Sequence, residues 1–406
     1  MTQLGRRAAE LAVEVTEGLS PEWPALAADG PLFATPGWLR AMDGRLGDRP
    51  LTIVVRHGGR ATLAAFASVQ TAHRPGELFD LHQALVHPGS ELPLTERARR
   101  LRGELAAGGP APQRWQPSLV VMLPGYECTP VGPAAHDPAA LVALVDGTVR
   151  WAAGNGIRTV AALYVRPEAV ALAAALAARG FVELPLTPTW DLRLPGSRLD
   201  DYLASLPHKR RIEARRELRM LDDAGVRIEP VDAYAVFDDL ARLRYQLVAK
   251  YRGAVREPGA GGGSHGPGRR PEVERRKLRT VVDDVAGGRP HVLLASAGGE
   301  ALGFALFAEH RGRWHCLAVG SDYDDPRSRL TYFGTAYYRA AELAYEYGVD
   351  TIGYGLGAWR PKRARGCRPT QLTGWVHTTD EELAAVLRAS AAVTELLPGV
   401  GGPSHH

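Results

Sequence analysis

The sequence predicts an α+β protein made of two similar units in tandem. Three observations point to it. The length, 406 residues, exceeds one ordinary core and suits two. Helical and strand-like segments recur in the same order in both halves. Each half also opens with strand runs broken by turn sequences.

The first strand run is "LTIVVRHGGRATLAAFASVQ" (Leu51 to Gln70), where His57-Gly58-Gly59 marks a hairpin. Its counterpart is "HVLLASAGGEALGFALFAEHRGRWHCLAVG" (His291 to Gly320), broken at "AGG" and "HRGR". A helical run, Leu141 to Gly156, leads into the strand "IRTVAALYV", then a helix from Ala169 and a closing strand "TWDLRLP". In the second half "GTAYYRAAELAYEYG" leads into "VDTIGYG", then "RARGC", "RPTQLT" and "GWVHTT". The apolar spacing passes from near 3.6 to near 2 in both. The matched landmarks are Gly156 with Gly348, Gly180-Phe181 with Gly366-Cys367, and Trp190 with Trp375. The expected domains are 1–194 and 195–398, meeting near Leu194 to Asp201. Gly253 to Pro271, rich in glycine and proline without periodicity, reads as a flexible insertion.

Composition narrows the class. With 45% hydrophobic and 23% charged residues, the chain matches soluble globular proteins. Its N-terminal run is charged throughout, so no signal peptide is expected, and no eighteen-residue apolar stretch spans a membrane. Three well-separated cysteines (Cys128, Cys316, Cys367) suggest a reducing compartment, the cytoplasm, and no disulfide framework or zinc ribbon. The net charge is +4, but the cations cluster. Lys209 to Arg219 and Arg269 to Arg279 each carry six cations against two anions. Arg360, Lys362, Arg363, Arg365 and Arg368 form a third patch. Concentrated patches on an otherwise acidic chain point to a localised anionic partner rather than general nucleic-acid coating, and no DNA partner is expected.

Several motifs fail on context. "GGSHG" (Gly262 to Gly266) has the letters of a nucleophile elbow but lacks the strand and helix that would strain Ser264 into exposure. "GYGLGAW" lacks the third glycine of a dinucleotide fingerprint, and Pro361 sits where the helix should run. His315 and Cys316, adjacent on a strand, point to opposite faces and cannot share a zinc ion. There is no Walker loop, C-x-x-C or H-E-x-x-H. No metal is expected.

A family resemblance joins what remains. "YLASLPHKRRIEARRELRMLDDAG" (Tyr202 to Gly225), with Lys209, Arg211, Arg215 and Arg216, resembles the K-x-R-x-x-x-R-R helix of FemAB-like and related GNAT-fold acyltransferases. "YGLGAWRPKRARGCRP" is similar to that superfamily's strand-to-lysine-to-glycine ending, with Cys367 in the aromatic position. "FATPGWLRAM" (Phe33 to Met42) resembles its N-terminal entry. The resemblance spans roughly Phe33 to His377. It implies two tandem GNAT-like domains, each a mostly antiparallel sheet flanked by helices, and acyl transfer to an amine from acyl-CoA or aminoacyl-tRNA.

Such transfer needs positioning, oxyanion donors and a group to move a proton. By the family's layout, backbone N–H groups around Leu317, Val319 and Gly320 would meet the donor, and the loop after them would hold its phosphates. Gly334 and Ala336 fit the end of the acyl-CoA signature R/Q-x-x-G-x-G/A, but Thr331 stands in the cation's place. Arg327 and Arg329 are the substitutes. Asp322, Asp324 and Asp325 oppose a pyrophosphate by like-charge repulsion, or simply cap a helix. Lys362 is expected to face the acyl site as a point charge, and Tyr323 to serve as proton shuttle or hydrogen-bond donor. His315 is the third catalytic candidate, with an ordinary strand histidine as its alternative. Lys209, Arg211, Arg215 and Arg365 are expected to bind an anionic substrate group, with an ion-paired solvated helix as the alternative for the first three.

The function expected is an N-acyltransferase moving an acetyl-type group from acyl-CoA to an amine, with the reactive centre in the second unit. The alternatives are a FemAB-type transferase using aminoacyl-tRNA, and a non-catalytic module binding an anionic polymer or cell-wall precursor.

Overall fold

The computed structural model describes residues 11–42, 49–74, 77–86, 92–253, 271–287 and 289–398. It divides into two compact units, Met1–Thr189 with Pro369–His406, and Trp190–Arg368. Residues 254–270, the body of the expected insertion, lie outside the described residues.

Unit 1 begins with β1 (Leu11–Glu17), α1 (Trp23–Leu26) and α2 (Pro36–Ala41), followed by β2 (Arg49–His57) and β3 (Arg60–Gln70). Then come α3 (Glu96–Gly108), β4 (Ser118–Val121), α4 (Pro138–Gly154), β5 (Thr159–Val165) and α5 (Val170–Ala178). The strand β6 (Val182–Arg193) carries the chain out of this unit. β1 to β4 pair antiparallel in order, β4 pairs β5 in parallel, and β5 pairs antiparallel with β12 (Arg368–Thr378). The core lies between this sheet and α4 and α5, where Ile53, Leu63, Leu119, Leu141, Leu144, Leu176 and Trp375 are buried. Alternation on the strands and 3.6-residue spacing on the helices put these residues on facing sides.

Unit 2 contains α6 (Leu199–Ser205), α7 (His208–Asp223), β7 (Arg227–Val231), α8 (Phe237–Gly253) and α9 (Pro271–Thr280). Three antiparallel strands follow: β8 (His291–Ala297), β9 (Glu300–His310) and β10 (Arg313–Ser321). A helical run, 326–346, starts as 3₁₀ (Pro326–Leu330), widens to π (Gly334–Tyr338) and ends as α10 (Arg339–Glu346). It returns the chain to β11 (Thr351–Gly353), which is parallel to β10 and antiparallel to the last residues of β6. After β11 come α11 (Trp359–Ala364) and β12, and α12 (Glu381–Val393) closes the described chain. No helix among the described residues is long and apolar enough to cross a membrane.

The two units therefore share one strand order, four antiparallel strands and then a parallel fifth, with β5 and β11 in equivalent places. The landmark glycines explain why the repeat is visible in sequence. Gly156, Gly180, Gly348 and Gly366 have φ of +72°, +81°, +69° and +82°, a left-handed conformation that glycine adopts without steric cost at helix ends.

The boundary expected at Leu194 needs correction. The second unit ends at Arg368, and 369–398 belongs to the first. The strand beside β5 is β12, and the strand beside β11 is the end of β6. Each sheet is thus closed by the strand that a simple head-to-tail duplication would assign to the other.

Candidate functional site

The site is built on α8, the end of β10 and the loop between them in space. One side of α8 buries Leu240 and Leu243. Its other side presents Arg242, Gln246 and Lys250 at four-residue steps, one above another on the helix. This stripe tracks the loop after β10. Arg242 donates to Asp322 at 2.7 Å. Gln246 accepts from the Tyr323 N–H at 3.3 Å and approaches Asp324 at 3.5 Å. The Lys250 ammonium sits 3.6 Å above the Tyr323 ring, a cation–π contact. Asp325 is paired with Arg327 at 2.6 Å, and that hydrogen-bonded guanidinium holds its carboxyl below the usual range. Two of the three aspartates that oppose an anionic ligand are therefore compensated locally.

A pocket of about 710 Å³ opens here, lined among others by Val319, Ser321, Tyr323, Arg329, Tyr332 and Lys250. Its origin is a parting of strands. β10 and β11 pair only at Trp314 with Ile352 and His315 with Gly353. The register of β10 on β9 then shifts between Cys316 and Ala318, a bulge that leaves Leu317 as the extra residue. Beyond it, the Asp322 N–H donates to Leu302 O at 2.8 Å. Counting back by the two-residue alternation of an antiparallel ladder turns the N–H and C=O groups of Ser321 and Val319 away from β9. Arg244 reaches the Val319 carbonyl from that side at 3.2 Å. The backbone of Val319 and Ser321 thus faces the gap left by β11. Arg329 is exposed and makes no ion pair among the described residues.

Other expected site residues are placed differently. Lys362 is buried, and its ammonium donates to the carbonyls of Tyr354, Gly355 and Leu356 at 2.8, 2.9 and 2.7 Å. It clamps the turn after β11, where Gly355, Gly357 and Ala358 all have positive φ. With three donors aimed at three carbonyls it does not face the pocket; Ala358 and Pro361 do. Arg365 is also internal, bound to Glu217 of α7 and stacked 4.0 Å over Phe333. Two of the five cations in the Arg360–Arg368 loop therefore point inward as struts. His315 does not line the pocket, and burial, with Arg313 and His310 nearby, pushes its pKa down to about 3. It is a neutral strand histidine, too weak a base for proton transfer near neutrality.

The acyl-CoA signature is not formed. Thr331 is fully buried, donating to Ser328 O at 2.8 Å. Gly334 lies in the helical run, and a Cβ there would meet Ile228 and Leu221 at 2.4 and 2.9 Å. The signature positions Thr331, Gly334 and Ala336 are packed as core, whereas Arg329 is exposed and lines the pocket. Arg327 is tied to Asp325, and the Asp325 side chain also takes the Arg327 N–H.

On α7, Lys209, Arg215, Arg216 and Arg219 are exposed and unpaired among the described residues, on one 120° sector of the helix. Glu213 pairs with Arg210 at 2.7 Å, while Arg211 donates to Ala204 O at 3.2 Å. Of the three cations expected there to bind substrate, Lys209 and Arg215 are available and Arg211 is engaged. Arg216 and Arg219 complete the stripe.

Sequence reasoning missed Lys250, Ser321 and Tyr332. The one legible signal was the four-residue spacing of Arg242, Gln246 and Lys250 on the helix Phe237–Gly253. The cysteines offer no nucleophile: burial pushes Cys128 and Cys316 up to about 12, and Cys367 higher still.

No sequence family matches the chain, and no curated protein matches it. Solved structures do. FemX aligns at 12% identity over 92% of this chain and 99% of its own, with a TM-score of 0.55. The C-terminal domain of a lysylphosphatidylglycerol synthetase from Agrobacterium fabrum matches at 16% identity, covering 70% of this chain and 85% of that one, TM-score 0.46. A tandem GNAT protein from the clavulanic acid biosynthesis pathway matches at 16%, covering 91% and 99%, TM-score 0.43. Over nearly its whole length, this chain has the fold of FemX.

Proposed function

We propose that the chain is a transferase that moves an aminoacyl group from a charged tRNA to an amine, with the ester carbonyl held in the unit 2 pocket. The observation that carries this reading is the pair of backbone N–H groups, Val319 and Ser321, facing the gap where β11 leaves β10. In that position they can donate to a carbonyl oxygen as it gains charge, worth roughly 3–4 kcal/mol per donor in such sites. The acceptor nitrogen attacks the carbonyl carbon, the tetrahedral oxyanion collapses, and the C–O bond to the terminal ribose breaks. The proton lost by the amine goes to the departing ribose oxygen. Tyr332, Ser321 and Tyr323 are the pocket hydroxyls available to carry it.

Two further observations favour the tRNA ester over acyl-CoA, the donor expected first. The signature residues for a diphosphate, Thr331, Gly334 and Ala336, are packed as core, and α7 offers a stripe of exposed cations suited to a phosphodiester backbone. The test is a donor screen in which acyl-CoA thioesters and charged tRNA pools are each followed for consumption with mixed amine acceptors. Consumption of charged tRNA, falling steeply with salt, is expected. Consumption of a thioester with charged tRNA untouched would overturn the donor assignment, and consumption of neither would favour a binding module.

A further inference from the structure

The helical run 326–346 changes pitch beside the unit 2 pocket, and the change pairs two tyrosines. Between Gly334 and Tyr338 the run is π: the Arg339 N–H donates to Gly334 O, five residues back. Residues five apart on an α-helix lie about 140° apart around its axis. The wider turn brings them toward one face, and Tyr332 and Tyr337 meet hydroxyl to hydroxyl at 3.2 Å. Their rings are T-shaped, with centroids 5.7 Å apart. Such turns are rare and concentrate at functional sites.

The two tyrosines differ in what they reach. Tyr332 is half-buried and lines the pocket together with Val319 and Ser321. Tyr337 is fully buried, and its ring stacks on Tyr354 at 4.6 Å and 17°. Tyr354 is itself fixed at both ends. Its hydroxyl donates to Ala336 O, and its carbonyl accepts from the buried Lys362 ammonium at 2.8 Å. The Tyr337 hydroxyl is therefore held in place before any substrate arrives.

Burial also decides which oxygen donates. Among the described residues, the Tyr332 oxygen is the one hydrogen-bond partner of the Tyr337 hydroxyl. A buried donor without an acceptor is rarer than an unused lone pair, so the proton between them belongs to Tyr337. Burial raises the Tyr337 pKa well above the ordinary tyrosine value, which keeps that proton on its oxygen. Tyr332 accepts, and its own O–H is directed away from Tyr337.

We infer that Tyr332 is the proton carrier of the transfer, and that Tyr337 positions it without touching substrate. This inference rests on the transferase reading. The Tyr332 O–H gives its proton to the departing ribose oxygen, while the Tyr332 oxygen takes the proton that the amine loses. The C–N bond forms, the C–O bond breaks, and Tyr332 ends as it began. Negative charge that builds on its oxygen on the way meets the Tyr337 O–H.

The test joins a rate with a titration. Single turnovers with charged tRNA should slow roughly a hundredfold or more in Tyr332→Phe, the usual scale for a lost proton-transfer group. Tyr337→Phe keeps the ring and its stacking; it should slow them roughly tenfold, with half-saturation by the donor unchanged. Tyr323→Phe should stay near the wild-type rate. The second readout is one that a merely structural role would not move. It is the isotope-labelled ring signal of Tyr332, followed against pH in the full chain and assigned by its loss in Tyr332→Phe. Without the Tyr337 donor that titration should shift to higher pH. A wild-type rate in Tyr332→Phe, or a Tyr332 titration indifferent to Tyr337→Phe, would overturn the inference. Failure of the donor reading looks different: the wild type leaves charged tRNA untouched, while the titration still shifts.

Discussion

Arg365 holds both carboxylate oxygens of Glu217, each 2.6 Å from one guanidinium nitrogen. The Tyr338 hydroxyl donates to the same carboxylate. The pair ties the turn after α11 to the middle of α7, and both partners are buried. Removing one partner leaves the other charged and uncompensated in a medium that cannot solvate it. Arg365→Met and Glu217→Gln should each cost about 3–5 kcal/mol, read from urea midpoints. The double variant Arg365→Met/Glu217→Gln should be less destabilised than the sum of the singles. Additive losses would show that the two charges do not interact as placed.

Lys362 makes the same point about the glycine turn. Its three N–H groups serve three consecutive carbonyls, so Lys362→Met should lower stability, by about 3 kcal/mol for a lost set of charge-assisted bonds. Arginine keeps the charge but has a planar fork in place of three diverging donors, so Lys362→Arg should recover little. A variant with unchanged urea midpoint but much reduced turnover would return Lys362 to the acyl site.

These two residues show where sequence reading reached its limit. The tandem repeat was legible because its landmarks are local: glycines at helix ends and tryptophans on closing strands. The exchange of β6 and β12 was not, because each strand alternates equally well beside either fifth strand. The cation cluster at Arg360–Arg368 was visible, but its division into two internal struts and an exposed remainder depends on partners such as Glu217, 148 residues away. The pocket's backbone donors carry no side-chain signature at all. They arise from a bulge at Leu317 and a strand that stops at Gly353.

His315 gives a pH dependence. Burial lowers its folded pKa to about 3, against about 6.5 in an unfolded chain. Between those values the unfolded state binds the extra proton, so stability is full above about pH 6.5 and declines as pH falls toward 3. His315→Gln should flatten the profile across that window, measured by urea unfolding at stepped pH. An unchanged slope would mean that His315 titrates normally in the folded chain.

The α7 stripe is open to charge reversal. Lys209→Glu and Arg216→Glu touch exposed positions, so melting temperatures should hold within the small range of surface substitutions. Filter binding of tRNA should weaken, and the slope of log affinity against log salt should drop by about 1 for each phosphate that the helix no longer neutralises. Unaltered binding with lowered stability would mean that the stripe is structural.

Tyr323 separates two roles within the donor pocket. Its ring carries the Lys250 ammonium at 3.6 Å, and Gln246 fixes its backbone, so the face of the ring is in use whatever the hydroxyl does. As a platform, the ring fixes Lys250 in the pocket that Arg329 also lines, and on the proposed function these two cations would meet the donor's phosphates. Tyr323→Phe keeps the platform and should leave kcat and KM near wild type. Tyr323→Ala removes it and should raise KM for the donor several-fold, as should Lys250→Ala, since an exposed cation–π contact is worth about 0.5–1 kcal/mol. Combining Tyr323→Ala with Lys250→Ala should add little to either alone, because both act through the same interaction. A fall of tenfold or more in kcat for Tyr323→Phe, with KM unchanged, would instead make the hydroxyl the proton carrier and the platform incidental.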